Sequence, residues 1–242
     1  MSRKVIVTGG ASGIGAATVA RFRADGHRVA ALDRDREALD RVDADLTVAG
    51  DVSDPASASG AIGEAAEKLG GVDVLVSCAG VAGRGTVADT PVEEWDRVFA
   101  VNVRGLFLAA QAAIPFLRRS DSAAIVNVAS QLGLVAAASA AAYCASKGAA
   151  VQLTRAMAID HTAEGIRVNA VCPGPTVTPL LESFFAAAAD PAAERRAFER
   201  AQLHGRLVDP AEVAAAIAYL ASPEAASTVG ECLVVDGGYT IR

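Results

Sequence analysis

Short apolar, β-branched runs recur along the chain, separated by longer stretches of helical composition. Lys4–Thr8, Arg28–Asp33, Leu46–Gly50, Val72–Cys78, Ala123–Ser130, Ile166–Cys172 and Cys232–Val235 read as strands. Several are continuously apolar rather than alternating, as expected where both faces of a parallel sheet are covered. Between them, Ile14–Asp25, Glu37–Val42, Pro55–Leu69, Val92–Arg118, Ala142–Glu164 and Pro210–Ala221 read as helices. This alternation predicts an α/β fold: a doubly wound parallel sheet of about seven strands with helices on both faces and right-handed crossovers. No composition break divides the chain, so residues 1–242 are expected to form a single domain.

One stretch breaks the rhythm. Thr178 to about Leu207 is helical in composition and carries Phe184, Phe185, an alanine run, Arg195, Arg196 and Arg200. It is either an exposed helical hairpin or a lid over a cleft. Its place after a strand's carboxyl end, where open α/β sheets bind ligands, favours a lid at 178–207.

Composition narrows the function classes. A chain of 242 residues, 52% hydrophobic and 21% charged, buries well over half of its unfolded surface without a staple. Net charge −6 and pI 5.1 argue against nucleic acid or an anionic membrane as partner. No unbroken apolar run reaches the roughly 18–20 residues of a spanning helix. The start Met1-Ser2-Arg3-Lys4 leads into Val5-Ile6-Val7 without a signal-peptide layout. Cys78, Cys144, Cys172 and Cys232 form no CxxC, and His27, His161 and His204 are scattered, so neither a disulfide framework nor a metal is expected. The expected location is cytoplasmic. A mean hydropathy of +0.33 suggests apolar surface buried between subunits.

Thr8-Gly9-Gly10-Ala11-Ser12-Gly13-Ile14-Gly15 joins the first strand to the first helix. Glycines there permit a tight turn and close approach to a pyrophosphate, which the helix N-terminus then receives. No Gly-Lys-Ser/Thr follows, which excludes a triphosphate loop and leaves a dinucleotide as the expected ligand. Asp33 ends the second strand, 18 residues beyond Gly15. It either caps the next helix or bonds the adenosine ribose hydroxyls. Facing the ribose, its carboxylate would repel a 2′-phosphate by roughly 3 kcal/mol at ~5 Å and an effective dielectric of ~20, about a hundredfold in affinity. NAD is therefore expected over NADP, although Arg34 could partly offset the effect.

Tyr143 and Lys147, four residues apart at the start of a helix, share one face. They are a surface pair, or an acid–base pair in which the ammonium favours phenolate. Acid–base work near neutrality needs the phenol well below its ordinary pKa of about 10. Ser130 closes a strand at the cleft edge, as a turn residue or as a hydroxyl holding a substrate carbonyl. No acid or histidine in the sequence stands beside it to make a hydrolase nucleophile.

TGxxxGxG at Thr8–Gly15, Asp51-Val52, Ala79-Gly80, Asn102, Ser130, Tyr143-xxx-Lys147 and Val168-Asn169-Ala170-Val171-Cys172-Pro173-Gly174 occur in this order along the chain. Together they closely resemble the single-domain short-chain dehydrogenase/reductase family, Rossmann-type in fold. The resemblance implies Tyr143 as general acid/base and Lys147 as the group that lowers its pKa and holds the nicotinamide ribose. It also implies Ser130 as the carbonyl-polarising group, and Asn102 as holding a water that links Lys147 to solvent. Gly9, Ser12, Gly13, Ile14 and Gly15 would line the pyrophosphate site, with Asp51 and Val52 at the adenine and Ala79 and Gly80 beside them. Pro173, Gly174, Thr176 and Thr178 would form the loop on the nicotinamide carboxamide, and the protein would be a dimer or homotetramer.

Two departures stand out. Ser77-Cys78-Ala79-Gly80 replaces the family's Asn-Asn-Ala-Gly, which removes asparagine hydrogen bonds from the central sheet. Glu164 precedes Gly165-Ile166, where carrier-protein reductases of the family tend to have Arg, so an acidic carrier would be repelled. Arg118 and Arg119 keep that reading open. Gln131 is either a solvated loop residue or a polar substrate contact. The surrounding Leu132–Ala142, Leu180-Leu181 and Phe184-Phe185 suit a modest apolar alcohol or ketone. Cys144 is given no role. The expected function is NAD-dependent interconversion of a secondary alcohol and a ketone. The alternatives are an NADPH-dependent ketone or 3-oxoacyl reductase and a nucleotide-binding module without chemistry.

Overall fold

The computed structural model describes residues 2–242. Seven parallel strands are β1 (Lys4–Thr8), β2 (Arg28–Asp33), β3 (Leu46–Ala49), β4 (Val74–Ser77), β5 (Ala124–Val128), β6 (Arg167–Pro173) and β7 (Cys232–Val235). They lie in the order β3-β2-β1-β4-β5-β6-β7. The order reverses between β1 and β4, and there the carboxyl ends of the strands part to leave a crevice.

Side chains alternate across the sheet and make two cores. Ile6, Leu75, Ile125 and Val168 face one layer, with α3 (Pro55–Leu69), α5 (Leu106–Leu117) and α6 (Ala141–His161). Val5, Val7, Val74, Val76 and Val126 face the other, against α1 (Gly13–Ala24) and α9 (Pro210–Ala221). The continuous apolar runs follow from this double burial. Most helices start with a capping side chain: Asp54 accepts from Ser57 N on α3, and Asp209 and Glu212 form a capping box on α9. At α1 the N-cap Ser12 makes no such bond.

Several expected strands are trimmed by one or two residues at an end, as at Val72–Asp73 and Ala129–Ser130, although Asp73 N and Ala129 N still donate to the Lys4 and Val171 carbonyls. The helix expected at Glu37–Val42 is a single turn, α2 (Arg36–Leu39), capped by Asp35. The helix expected over Val92–Arg118 is one rod of three parts: α4 (Val92–Phe99), a π-helical stretch Ala100–Gly105, and α5. At 26 residues the rod is long and apolar enough to cross a membrane, which no unbroken apolar run had suggested. In this fold Ala109, Ala113 and Leu117 pack into the sheet core and Asn102 is buried, as in a core helix. The segment after β6 forms α7 (Pro179–Ala186) and α8 (Pro191–Ala201).

Candidate active site

Two adjoining clefts open at the carboxyl ends of the strands. The first, about 340 Å³, is lined by Gly9, Ser12, Gly13, Ile14, Gly15, Asp33, Asp51, Val52, Ala79, Gly80 and Thr178. The second, about 250 Å³, is lined by Ser130, Tyr143, Lys147, Pro173, Gly174, Thr176 and Thr178. Ile14, Cys78, Gly80, Val81, Thr178 and Leu180 line both, so one continuous groove collects every expected site residue except Asn102, which lies just behind it.

The glycine loop fits a pyrophosphate. A Cβ on Gly15 would stand 2.0 Å from the Gly9 carbonyl oxygen. Gly9 has φ +65°, and a Cβ there would meet the Ala79 backbone nitrogen at 2.7 Å. Side chains are thereby excluded from the floor of the first cleft. Because Ser12 does not cap α1 and its first turn carries no acid, the helix N–H groups remain open to an anion. Asp33 does not cap α2, since Asp35 does. Its Oδ2 accepts from Ala11 N at 3.2 Å and its Oδ1 from Asp35 N at 3.1 Å, which ties the glycine loop to the end of β2. Asp51 Oδ1 accepts from Ser53 Oγ at 2.7 Å and Ser53 N at 2.8 Å. The Ser53 hydroxyl, then the Ser53 amide, hold that carboxyl below its usual value.

The second cleft holds the groups expected to react. Lys147 is buried; its Nζ donates to the Val128 carbonyl at 2.9 Å and sits 5.7 Å from the centroid of the Tyr143 ring. Burial lowers the ammonium to about 8. Tyr143 differs from the sequence expectation. Burial pushes its phenol above the ordinary value, while the facing Ser130 hydroxyl pulls it down. With the ammonium turned toward Val128, desolvation dominates in the protein alone. Ser130 Oγ also accepts from Leu132 N at 3.1 Å, which fixes the start of the short turn Gln131–Gly133.

Asn102, in the π-helical stretch, accepts from Val81 N at 2.8 Å through Oδ1. Its Nδ2 donates to the Val81 carbonyl and to Ser146 Oγ, both at 3.0 Å. Ser146 Oγ in turn donates to the Tyr143 carbonyl at 2.8 Å. The amide thus joins the loop after β4 to the first turns of α6. A Cβ on Gly80 would lie 3.4 Å from Asn102 Oδ1 and 3.6 Å from Lys147 Nζ, so both groups reach the same small space.

Sequence reasoning missed Ser146, the Val128 carbonyl and Phe198. Ser146 lies one helical turn from Tyr143, a weak signal. The carbonyl has none, and Phe198 enters the cleft from α8, where it packs on Phe184 and Phe185 at centroid distances of 5.6 and 5.3 Å. At the family departure, Ser77 Oγ is buried without a partner, and burial pushes the Cys78 thiol up to about 12. The charge argument at Glu164 also changes. Arg118 holds that carboxylate with two bonds of 2.9 Å and His161 lies 3.1 Å away, so neither Glu164 nor Arg118 is a free charge for a carrier.

A family model described as enoyl-(acyl carrier protein) reductase matches residues 9–240. The chain is 41% identical over 252 residues to 2-(R)-hydroxypropyl-CoM dehydrogenase of Xanthobacter autotrophicus, covering 99% of each chain. It is 40% identical over 245 residues to meso-2,3-butanediol dehydrogenase of Serratia marcescens, covering 99% of this chain and 95% of that one. The crystal structure of a single-residue variant of actinorhodin polyketide ketoreductase with NADPH superposes with a TM-score of 0.94 at 32% identity, covering 100% of this chain and 98% of that one.

Proposed function

The chain belongs to the short-chain dehydrogenase/reductase family and is an alcohol/ketone oxidoreductase, and on that basis we propose that it is NAD-dependent and acts on secondary alcohols. The observation that carries this reading is the facing of Ser130 and Tyr143 in a cleft that runs into the glycine-loop cleft.

Bound across the two clefts, a nicotinamide cofactor would supply hydride uptake from a carbinol or donation to a ketone. The chain's own residues handle position and proton. Gly9, Ser12, Gly13, Ile14 and Gly15 would hold the pyrophosphate on the open end of α1, with Asp51, Val52, Ala79 and Gly80 along the adenosine half. Pro173, Gly174, Thr176 and Thr178 would hold the nicotinamide end. In alcohol oxidation Tyr143, as phenolate, takes the hydroxyl proton while Ser130 steadies the carbinol oxygen. Lys147 holds the ribose and, facing a deprotonating phenol, keeps the negative charge on it. Asn102 Oδ1 retains a lone pair toward the space beside Gly80, the place for a water that carries the proton from Lys147 outward.

NAD rather than NADP follows from Asp33, whose carboxylate lines the first cleft and would repel a 2′-phosphate. The NADPH-dependent ketone or 3-oxoacyl reductase reading is favoured by Arg34, which lines the same wall. The 178–207 segment supplies Leu180, Leu181, Phe184 and Phe198 to the substrate cleft, as a lid would. Exposed Val92, Trp95 and Phe107 on the rod and Ile159 on α6 suit a dimer or homotetramer. All four cysteines are free, which fits a reducing cytoplasm.

The test is reduction of NAD and of NADP by the purified protein across a panel of secondary alcohols, with Tyr143→Phe alongside. NAD reduction that Tyr143→Phe abolishes supports the proposal. Reduction of NADP alone refutes the Asp33 assignment, and a Tyr143→Phe protein as active as wild type refutes the proton assignment.

A further inference from the structure

Resting on the alcohol dehydrogenase reading, a second anchor in the substrate cleft narrows the substrate class. Buried side-chain atoms without a hydrogen-bond partner occur among the described residues on Arg3, Arg23, Ser77, Asn127, Gln131 and Gln202. Gln131 alone of these lines the substrate cleft. It is 5% exposed, and its Oε1 lies against the nicotinamide-side loop, 2.9 Å from where a Cβ on Gly174 would stand. A buried carbonyl oxygen without a partner is uncommon in a native fold, and since Oε1 is closed off against the loop, a turn of the carboxamide is what brings it or its amide nitrogen to a ligand in the cleft. The carboxamide offers both an acceptor and donors, the complement of a hydroxyl.

Position fixes where that hydroxyl must be. Gln131 follows Ser130 directly, and consecutive Cα atoms lie about 3.8 Å apart. Both side chains reach one cleft of about 250 Å³, so an oxygen held by Gln131 belongs to a carbon near the reacting carbinol. The remaining wall is largely apolar, with Leu132, Leu181, Phe184 and Phe198. Its one ammonium, Lys147, donates to the Val128 carbonyl and is assigned to the cofactor ribose and the Tyr143 phenolate, and Arg84 near the mouth pairs with Glu194 at 3.6 Å and covers Phe184 at 3.7 Å. A free cation to receive an anionic substrate is thus lacking among the described residues of the cleft. We propose that Gln131 binds the second oxygen of a neutral vicinal diol, or of its α-hydroxyketone, whose first oxygen lies between Ser130 and Tyr143.

The test compares kcat/KM for 2,3-butanediol and 2-butanol with NAD in wild type and Gln131→Met. A site that hydrogen-bonds a substrate hydroxyl rejects an analogue lacking it, because its buried groups are left unpaired. Wild type is expected to favour the diol by about tenfold or more, and Gln131→Met to lower the diol value by about tenfold or more while 2-butanol changes by less than about threefold. Equal losses on both alcohols, or an unchanged ratio, overturn the proposal. So does a wild type that does not discriminate between them, a result that needs no variant. If wild type oxidises neither alcohol with NAD, the diol proposal is overturned, while the parent reading fails only if the wider panel of secondary alcohols is also inactive; oxidation of 2-butanol without preference sinks only the role of Gln131.

Discussion

Asn102→Ala removes a side chain that is 2% exposed and makes three hydrogen bonds, two to the Val81 backbone and one to Ser146 Oγ. Each such bond contributes about 1 kcal/mol net, and partners left unpaired in a partly buried site add to the loss, so the variant should be destabilised by roughly 3 kcal/mol. For a domain of this size that lowers the melting temperature by about 6–12 °C. The effect should also reach catalysis. Without the amide, Val81 is released from the π-helical stretch and Ser146 loses its donor, so the first turns of α6 that carry Tyr143 and Lys147 lose a brace. Differential scanning calorimetry with and without NAD, and initial rates on the best alcohol, provide the readings. Asn102→Asp is the companion: it keeps the acceptor for Val81 N, loses both donor contacts, and sets a carboxylate in the space Lys147 also reaches. That charge should raise the Lys147 pKa from about 8. A melting temperature for Asn102→Ala within about 2 °C of wild type would refute the reasoning, because the amide would then carry no structural load.

Asp33→Asn keeps an acceptor for Ala11 N while removing the charge, so the NAD-over-NADP ratio of kcat/KM should fall by about a hundredfold with little change in stability. An unchanged ratio would show that the carboxylate does not face the ribose. Ser130→Ala removes the group that draws the Tyr143 phenol downward, so the phenol titrates still higher than its buried position already sets it. The alkaline rise of kcat/KM for alcohol oxidation should therefore move to higher pH, with an overall loss of about a hundredfold. A profile that keeps its midpoint would separate Ser130 from the proton transfer.

The sheet was legible because its signal is local. A strand buried on both faces needs an apolar central run, and Val5–Val7 in β1, Val29–Leu32 in β2 and Ala124–Val126 in β5 supply it; a dinucleotide turn must admit backbone where a Cβ would collide, and Gly9 and Gly15 do. The spacing of Tyr143 and Lys147 on one helix likewise follows from the helical repeat. Such features are readable from the unfolded chain, since each depends on residues within a turn or a strand of one another. Contacts between distant partners were settled only by folding. Asn102 meets Ser146 across 44 residues, Arg118 neutralises Glu164 across 46, and Lys147 reaches the Val128 carbonyl across 19. The direction of the Tyr143 shift and the unpartnered Oε1 of Gln131 are of the same kind. Burial and hydrogen-bond satisfaction are properties of the packed molecule: a polar group is desolvated, paired or left open only once elements far apart in the chain have closed around it.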